Sequence, residues 1–444
     1  MALLAMSLAP YTSSLAGSRR GDTHGSVMTK HDSKSNRPSS KPKKERVSFP
    51  QDKLDDQALK VVNRLRRYNH EAYLVGGCVR DLLLGRTPKD FDVATSATPS
   101  EIKGLFRNCR IIGRRFKLAH IFFGSHIIET STFRATPHQD EASGCGPSDD
   151  GKPSSEDNGP NPLLIKRDNV FGNAEQDAMR RDFTINGLFY LPKEGEILDY
   201  VGGLEDLRKG VVKTIGDPRV RFRGDPVRIL RAVKFAARLG LRVEAYTHDA
   251  MFEYRNELAF CPEARLLEEL RRLLSEGTSR KALELMDSLS VLETLIPEVS
   301  RALREPKSAG FLRSRLEAMD ESIKKHGLVP SRALLLGNLL METLPPDWQD
   351  QRDMGRFIKE AFSPFLQRLK VPRRDKERLS QIFVAQRRLL PGGSRRRVRS
   401  LARQSYFPEA LYLYALGCEP DSEADTENLE KLCELSGWPR DTFW

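Results

Sequence analysis

The chain contains no uninterrupted apolar run near the roughly 18 residues that a membrane-crossing helix requires, so no membrane helix and no membrane partner are expected. Cysteine is scarce. The six present (Cys78, Cys109, Cys145, Cys261, Cys418 and Cys433) form no CxxC pair and have no histidine at ligand spacing. That excludes a disulfide-stapled small secreted fold and a structural zinc site, and makes a reducing compartment the economical expectation. Histidine is scarce too, and the His248–Asp249 pair has no companion cluster, which disfavours a histidine–aspartate metal hydrolase. Against these absences, 39% hydrophobic residues among 444 suffice for real cores, and the length predicts two or three domains.

Lys and Arg outnumber Asp and Glu by 73 to 61, a net charge of +12. The excess is concentrated. Between Lys370 and Arg403 there are 12 basic residues and two acidic ones, Asp375 and Glu377. Arg373, Arg374, Arg395, Arg396, Arg397 and Arg399 are therefore candidates to meet a polyanion, most simply RNA. The plainer reading is a solvated arginine-rich helix surface.

Residues 1–45 are rich in Ser, Lys and Arg, poor in acids and without apolar period. They read as a disordered basic segment, either a tail or an organelle transit peptide, a plastid being favoured over a mitochondrion and nucleus or cytoplasm being the alternative. Residues 136–162, dense in Gly, Pro, Ser and Asp, predict a mobile loop, and the acidic residues 419–444 a loose tail with a short helix near Leu429–Leu435. Between them, Leu54, Ala58, Val61, Val62 and Leu65 recur at helical spacing. AYLVGG predicts a buried strand, VRDLLL (79–84) a helix and Phe91–Ala94 a strand. Thr98 with Glu101 predicts a capping box opening a helix at Pro99, and 119–123 with 126–133 a hairpin about Gly124–Ser125. After Asp225 the period is helical to about Gly417. The expected class is α+β: a head of mixed or antiparallel sheet with helices (46–200), then an all-α neck (201–290) and body (291–418).

One stretch concentrates chemistry. In LVGGCVRDLLLGRTPKDFDVAT a strand runs through Gly76 and Gly77 into a helix, so backbone N–H groups can face an anion without a Cβ in the way. Arg80, one turn on, is placed to reach the same anion. Asp90 and Asp92 alternate on the expected strand, which puts both carboxylates on one face, where a divalent cation such as Mg²⁺ relieves their repulsion. Glu129, inside the apolar strand HIIETSTF, is costly to bury alone and suits the same ion as a third catalytic carboxylate. The bland reading of the DxD is a surface turn.

GGCVRDLLLG followed by DFD resembles the signature of the nucleotidyltransferases related to DNA polymerase beta. More narrowly, it is similar to the group holding bacterial poly(A) polymerases and the class II tRNA CCA-adding enzymes, over about residues 54–418. The resemblance implies that Asp90 and Asp92 bind metal, with Glu129 as third carboxylate. RRDFTINGLFY matches the RRDxxxN element, so Arg181, Asp182 and Asn186 would touch triphosphate and ribose. DYVGGLEDL matches a turn element in which Asp199, Gly202, Gly203 and Asp206 are structural. The base-reading EDxxR element is represented by Asp225 and Arg228, with Gly224 where the family has Glu. Arg228, Arg231 and Arg238 share a polar face of that helix.

IIGRRFKLAHIFF (111–123) resembles the element marking bacterial poly(A) polymerases, which favours adding AMP from ATP to RNA over adding CCA to tRNA. A non-catalytic RNA-binding protein on the same scaffold is the alternative of another class. His120 and Phe122 within the marker are expected as core strand residues.

Overall fold

A computed structural model of the chain describes residues 41–113, 117–135, 170–391, 395–418 and 422–437. Residues 1–40 of the leader expected over 1–45, residues 114–116 of the 111–123 element and the loop expected at 136–162 lie outside the described residues.

The head is an eight-stranded sheet, β1 (Lys43–Arg46), β2 (Ala72–Val75), β3 (Asp92–Thr95), β4 (Cys109–Ile112), β5 (Leu118–Phe123), β6 (His126–Thr132), β7 (Leu188–Leu191) and β8 (Glu196–Asp199), in the order β1-β8-β7-β2-β3-β6-β5-β4. Only β3 and β6 run parallel; all other neighbours are antiparallel. Helices α1 (Asp56–Arg67), α2 (Gly77–Leu83), α3 (Pro99–Leu105), α4 (Ala174–Arg180) and α5 (Gly203–Arg208) accompany it. Helix α1 begins where the Asp55 carboxylate accepts from the amides of Gln57 and Ala58. It buries Ala58, Val61, Val62 and Leu65 with Leu74, Val93, Ala119, Ile121 and Ile128 of the sheet, the larger ones worth about 1.5–3 kcal/mol each. Helix α3 carries the expected Thr98–Glu101 capping box. On the opposite sheet face, Ala174 and Ala178 of α4 pack with Tyr73, Val75, Ala94 and Phe189, covering β7, β2 and β3.

The helical part comprises α6 (Pro218–Gly224), α7 (Arg228–Leu239), α8 (Ala245–Tyr254), α9 (Glu263–Ser275), α10 (Ser279–Ser288), α11 (Val291–Leu295), α12 (Pro297–Arg304), α13 (Pro306–His326), α14 (Arg332–Leu340), α15 (Met354–Arg368), α16 (Arg373–Leu389), α17 (Arg395–Ala402), α18 (Phe407–Ala415) and α19 (Glu423–Ser436) around one continuous core. A two-residue parallel pair, Val211–Val212 with Arg242–Val243, interrupts the all-helical reading after Asp225.

Three sequence expectations need correction. Residues 43–45, assigned to the disordered leader, form the sheet edge β1, because Lys43–Arg46 pair with Glu196–Asp199 and Glu45 is ion-paired to Arg208. The acidic tail is not loose between 422 and 437. Leu429, Leu432 and Cys433 line one face of α19 and enter the core, Ser422 caps it, and Gly437 ends it in the left-handed conformation. Finally, Gly224 and Asp225 do not lie within the base-reading helix: α6 ends on Gly224, Asp225 caps it, and Arg228 opens α7.

Candidate active site

Strand β2 ends at Val75 against Asp92, and Gly76 turns the chain into α2 with φ +74°. A Cβ there would sit 3.0 Å from Arg181 Nη1, so the position needs glycine for both its backbone and its close neighbour. Cys78, just behind, donates to the Val75 carbonyl; burial pushes its thiol up to about 12 and leaves it inert.

Asp92 opens β3, with Val75 opposite it on one side and Glu129 on the other. Asp90 lies in the lead-in before β3, so the two aspartates do not alternate along one strand as expected; Asp90 remains close enough for its charge to act on Asp92. The Asp92 residue is open on the cleft side and walled in elsewhere. Desolvation by those walls, then the Glu129 charge, push its carboxyl up to about 6, against the pull of Arg181. Glu129 is not a buried charge: its side chain is 52% exposed, on the solvent face of β6, beside His120 Nε2 at 3.5 Å. The burial argument for it fails, and its claim to the site rests on facing Asp92.

Among the described residues no group of three or more His, Cys, Asp or Glu side chains encloses an ion by itself. The donor set nonetheless fits Mg²⁺, which is held by one or two carboxylates plus substrate phosphates rather than by an all-protein cage. Two facing carboxylates with a third in range, whose charges add to burial in raising the Asp92 pKa, are such a donor set.

The wall beside the carboxylates comes from the turn after α4 and from the neck. Arg181 lies over the Phe189 ring, is held by Asp177 Oδ2 at 2.9 Å and donates to the Asn186 carbonyl. Asp182 is buried. Burial alone would raise its carboxyl, but the Arg231 guanidinium at 2.5 Å and hydrogen bonds from Asn186 and the Phe183 amide hold it below its ordinary value. Asn186 accepts from Arg80 at 2.6 Å through Oδ1 and donates to Asp182 through Nδ2. Arg80 is a third correction here. It is 2% exposed, and its Nε, Nη1 and Nη2 donate to Asp81 and Asn186, so it braces the wall from behind.

Asp225 accepts from Arg265 at 3.0 Å, with Arg228 at 4.0 Å. Burial lowers the Arg228 pKa, and it lowers Arg221 to about 10, the like charge of Arg228 adding to the effect. Arg238 reaches Asp81, so Arg231 and Arg238, sharing the expected face of α7, both grip the head. Nothing lies within 4 Å of a Cβ built on Gly224.

Residues 72–213 match the family described as the Poly A polymerase head domain, and residues 240–303 the family described as the probable RNA and SrmB-binding site of polymerase A. Residues 72–213 are thus similar to a poly A polymerase head domain. It is homologous to poly(A) polymerase I of Escherichia coli O157:H7 (46% identical over 252 residues, 57% of this chain and 52% of that one). It is also homologous to the CCA-adding enzyme of Bacillus velezensis (31% over 265 residues, 60% and 62%). The chain thus spans about half the length of the poly(A) polymerases it matches. The solved CCA-adding enzyme of Bacillus stearothermophilus in complex with CTP shares the fold, with a TM-score of 0.64 and 23% identity over 86% of this chain and 83% of that one.

Between this head domain and its neck, sequence reasoning missed Arg221, which donates to the carbonyls of Arg180 and Arg181 and so holds the turn carrying Asp182. Arg219, Arg221 and Arg223 alternate in one short helix, and no local signal says which one faces the head domain. Far along the chain, Arg395, Arg396, Arg397 and Arg399 are exposed on α17, with no carboxylate partner among the described residues. Arg374 is exposed, and Arg373 pairs with Glu377 at 2.7 Å.

Proposed function

We propose that this chain adds AMP from ATP to the 3′-end of RNA, as a poly(A) polymerase does. The observation that carries the reading is the in-register pair Asp92–Glu129 beside the Gly76 turn and Arg181. Gly76 and Gly77 let the triphosphate approach the main chain, and Arg181 supplies a guanidinium at the same spot. Asp90, Asp92 and Glu129 would hold Mg²⁺, which when bound acidifies the attacking hydroxyl and offsets charge on the leaving pyrophosphate. The primer's 3′-oxygen attacks the α-phosphate in line. The P–O bond to pyrophosphate breaks, and the hydroxyl proton leaves towards the carboxylate cluster. Asp182, Asn186, Arg228 and Arg231 shape the pocket for ribose and base, Asp225 presenting an acceptor. The exposed arginines of α17 would track the RNA backbone.

CCA addition to tRNA is the second reading, favoured by the 31% identity to a CCA-adding enzyme. Extension of an unstructured RNA and of a tRNA lacking its CCA end, with each NTP in turn, separates the two. A long ladder with ATP alone is expected. CTP-dependent arrest after three additions on tRNA would replace the proposal, and RNA binding without extension would leave a non-catalytic protein. From composition alone, we also propose that residues 1–40 direct the chain to an organelle, a plastid first, which a fluorescent fusion would test.

A further inference from the structure

The active-site face of the sheet continues beyond the carboxylates. Asp92 faces Glu129, Glu129 faces His120, and His120 faces Arg110, so one polar row crosses the four adjacent strands β3, β6, β5 and β4. Side chains two residues along lie on the same face: Phe122 and Ile127, which face each other, and Ile112. Residues of opposite parity, Ala119, Ile121 and Ile128, are in the core under α1 and α3. The row's own side is open. Ile112 is 45% and Ile127 42% exposed, Arg110 is exposed, and His120 and Phe122 are half-buried rather than core residues as the sequence suggested. Arg110 stands over the Phe122 ring at 5.7 Å, and the His120 ring lies 6.3 Å from it. Arg107 and Lys117, at either end of the β4–β5 pair, are exposed and add positive charge.

An open sheet face with an aromatic ring, aliphatic neighbours and guanidinium groups is the surface on which single-stranded RNA stacks its bases and settles its phosphates. Its position supplies the direction. The groups that would hold the triphosphate, Gly76, Gly77 and Arg181, stand on the β2 side of Asp92. In-line displacement brings the nucleophile in opposite the leaving group, so the acceptor strand must arrive from the β6–β5–β4 side. We propose that this face is the platform for the 3′-terminal nucleotides of a single-stranded RNA primer, one base stacking on Phe122 and the adjoining phosphate meeting Arg110. The proposal rests on the nucleotidyl-transfer reading for its direction and on the face itself for its chemistry.

The test uses the full chain with ATP and an unstructured RNA, measuring KM for primer and for ATP separately, together with crosslinking of an RNA ending in 4-thiouridine. Phe122→Ala and Arg110→Glu should each raise the primer KM by about tenfold or more while the ATP KM stays within about twofold, and Phe122→Trp should restore the primer KM. Arg110 is exposed, so its variant keeps the test valid if Phe122→Ala misfolds. The crosslink should map to β5 or β4. An unchanged primer KM in a wild-type background that extends RNA overturns the platform and leaves the transfer reading standing. So does a face that proves, by sedimentation of wild type and Arg110→Glu, to be a contact between two copies of the chain. A wild type that extends nothing yet crosslinks to β5 removes the transfer reading and supports the platform.

Discussion

Asp92 and Glu129 face each other in register across β3 and β6, which among the described strands of the head sheet are the one parallel pair. Two like charges placed this way are held by backbone hydrogen bonding, not by attraction, and a bound cation would relieve their repulsion.

The first consequence concerns turnover. Asp92→Asn, Asp90→Ala and Glu129→Gln should each lower nucleotide incorporation by about a thousandfold. RNA affinity should stay within about twofold, since the exposed arginines of α17 are untouched. Single-turnover extension and filter binding on the same preparations check both halves. Full activity in Asp92→Asn would remove the carboxylate mechanism.

The second concerns pH. The Asp92 pKa is raised to about 6, so the folded apo chain binds that proton more tightly than the unfolded chain does. The group's contribution to stability is therefore present in acid and is lost as pH rises through about 6. A divalent ion binds the deprotonated form, so Mg²⁺ affinity should fall about tenfold per unit as pH drops below 6, one proton being displaced. Thermal melts with and without Mg²⁺ should show a metal-induced rise in Tm that is larger at pH 7.5 than at pH 5.

The third concerns Gly224. It ends α6 with open space around its Cβ position, so Gly224→Glu should fold normally and leave Tm nearly unchanged. Its carboxylate would add an acceptor beside Asp225 and Arg228 and should sharpen the preference for ATP over UTP and GTP by about threefold or more. The ratio of kcat/KM values measures it. An unchanged ratio would mean that Asp225, held by Arg265, already sets selectivity.

The fourth concerns the turn between sheet and neck. The Asp199 carboxylate accepts four hydrogen bonds, from the amides of Val201, Gly202 and Gly203 through Oδ1 and of Leu204 through Oδ2. Asp199→Ala should cost about 2–3 kcal/mol in urea unfolding, without changing the KM for ATP in the protein that remains folded.

The fifth concerns α17. Replacing Arg395, Arg396, Arg397 and Arg399 by Ala should weaken RNA binding at low salt and flatten the salt dependence by several units of slope, with the ATP KM unaffected.

What the sequence made legible was local. The Thr98–Glu101 box, the Gly124 hairpin and the apolar face of α1 are written in residues three or four apart, or at a single glycine, and all three stand in the structure. Asp92 and Glu129 could be nominated one at a time, but their pairing is a long-range register that no window displays. Arg80 shows the same limit from the other side: its helical position was readable, while the buried Asp81 and Asn186 that consume its donors come from the neighbouring residue and from a distant turn. In α19 the short helix expected near Leu429–Leu435 is present, but its extension back to Glu423 and its burial were not legible, because only the body reveals a surface for Leu429, Leu432 and Cys433 to cover.

The parallel β3–β6 pair also orders the protein's birth. A parallel neighbour cannot be reached by a tight turn, so α3, β4 and β5 must all be laid down before β6 returns to lie beside β3. Loop closure precedes the reward of that contact, and such pairings form late. The facing of Asp92 and Glu129 therefore does not exist on a nascent chain until β4, β5 and β6 have all been made.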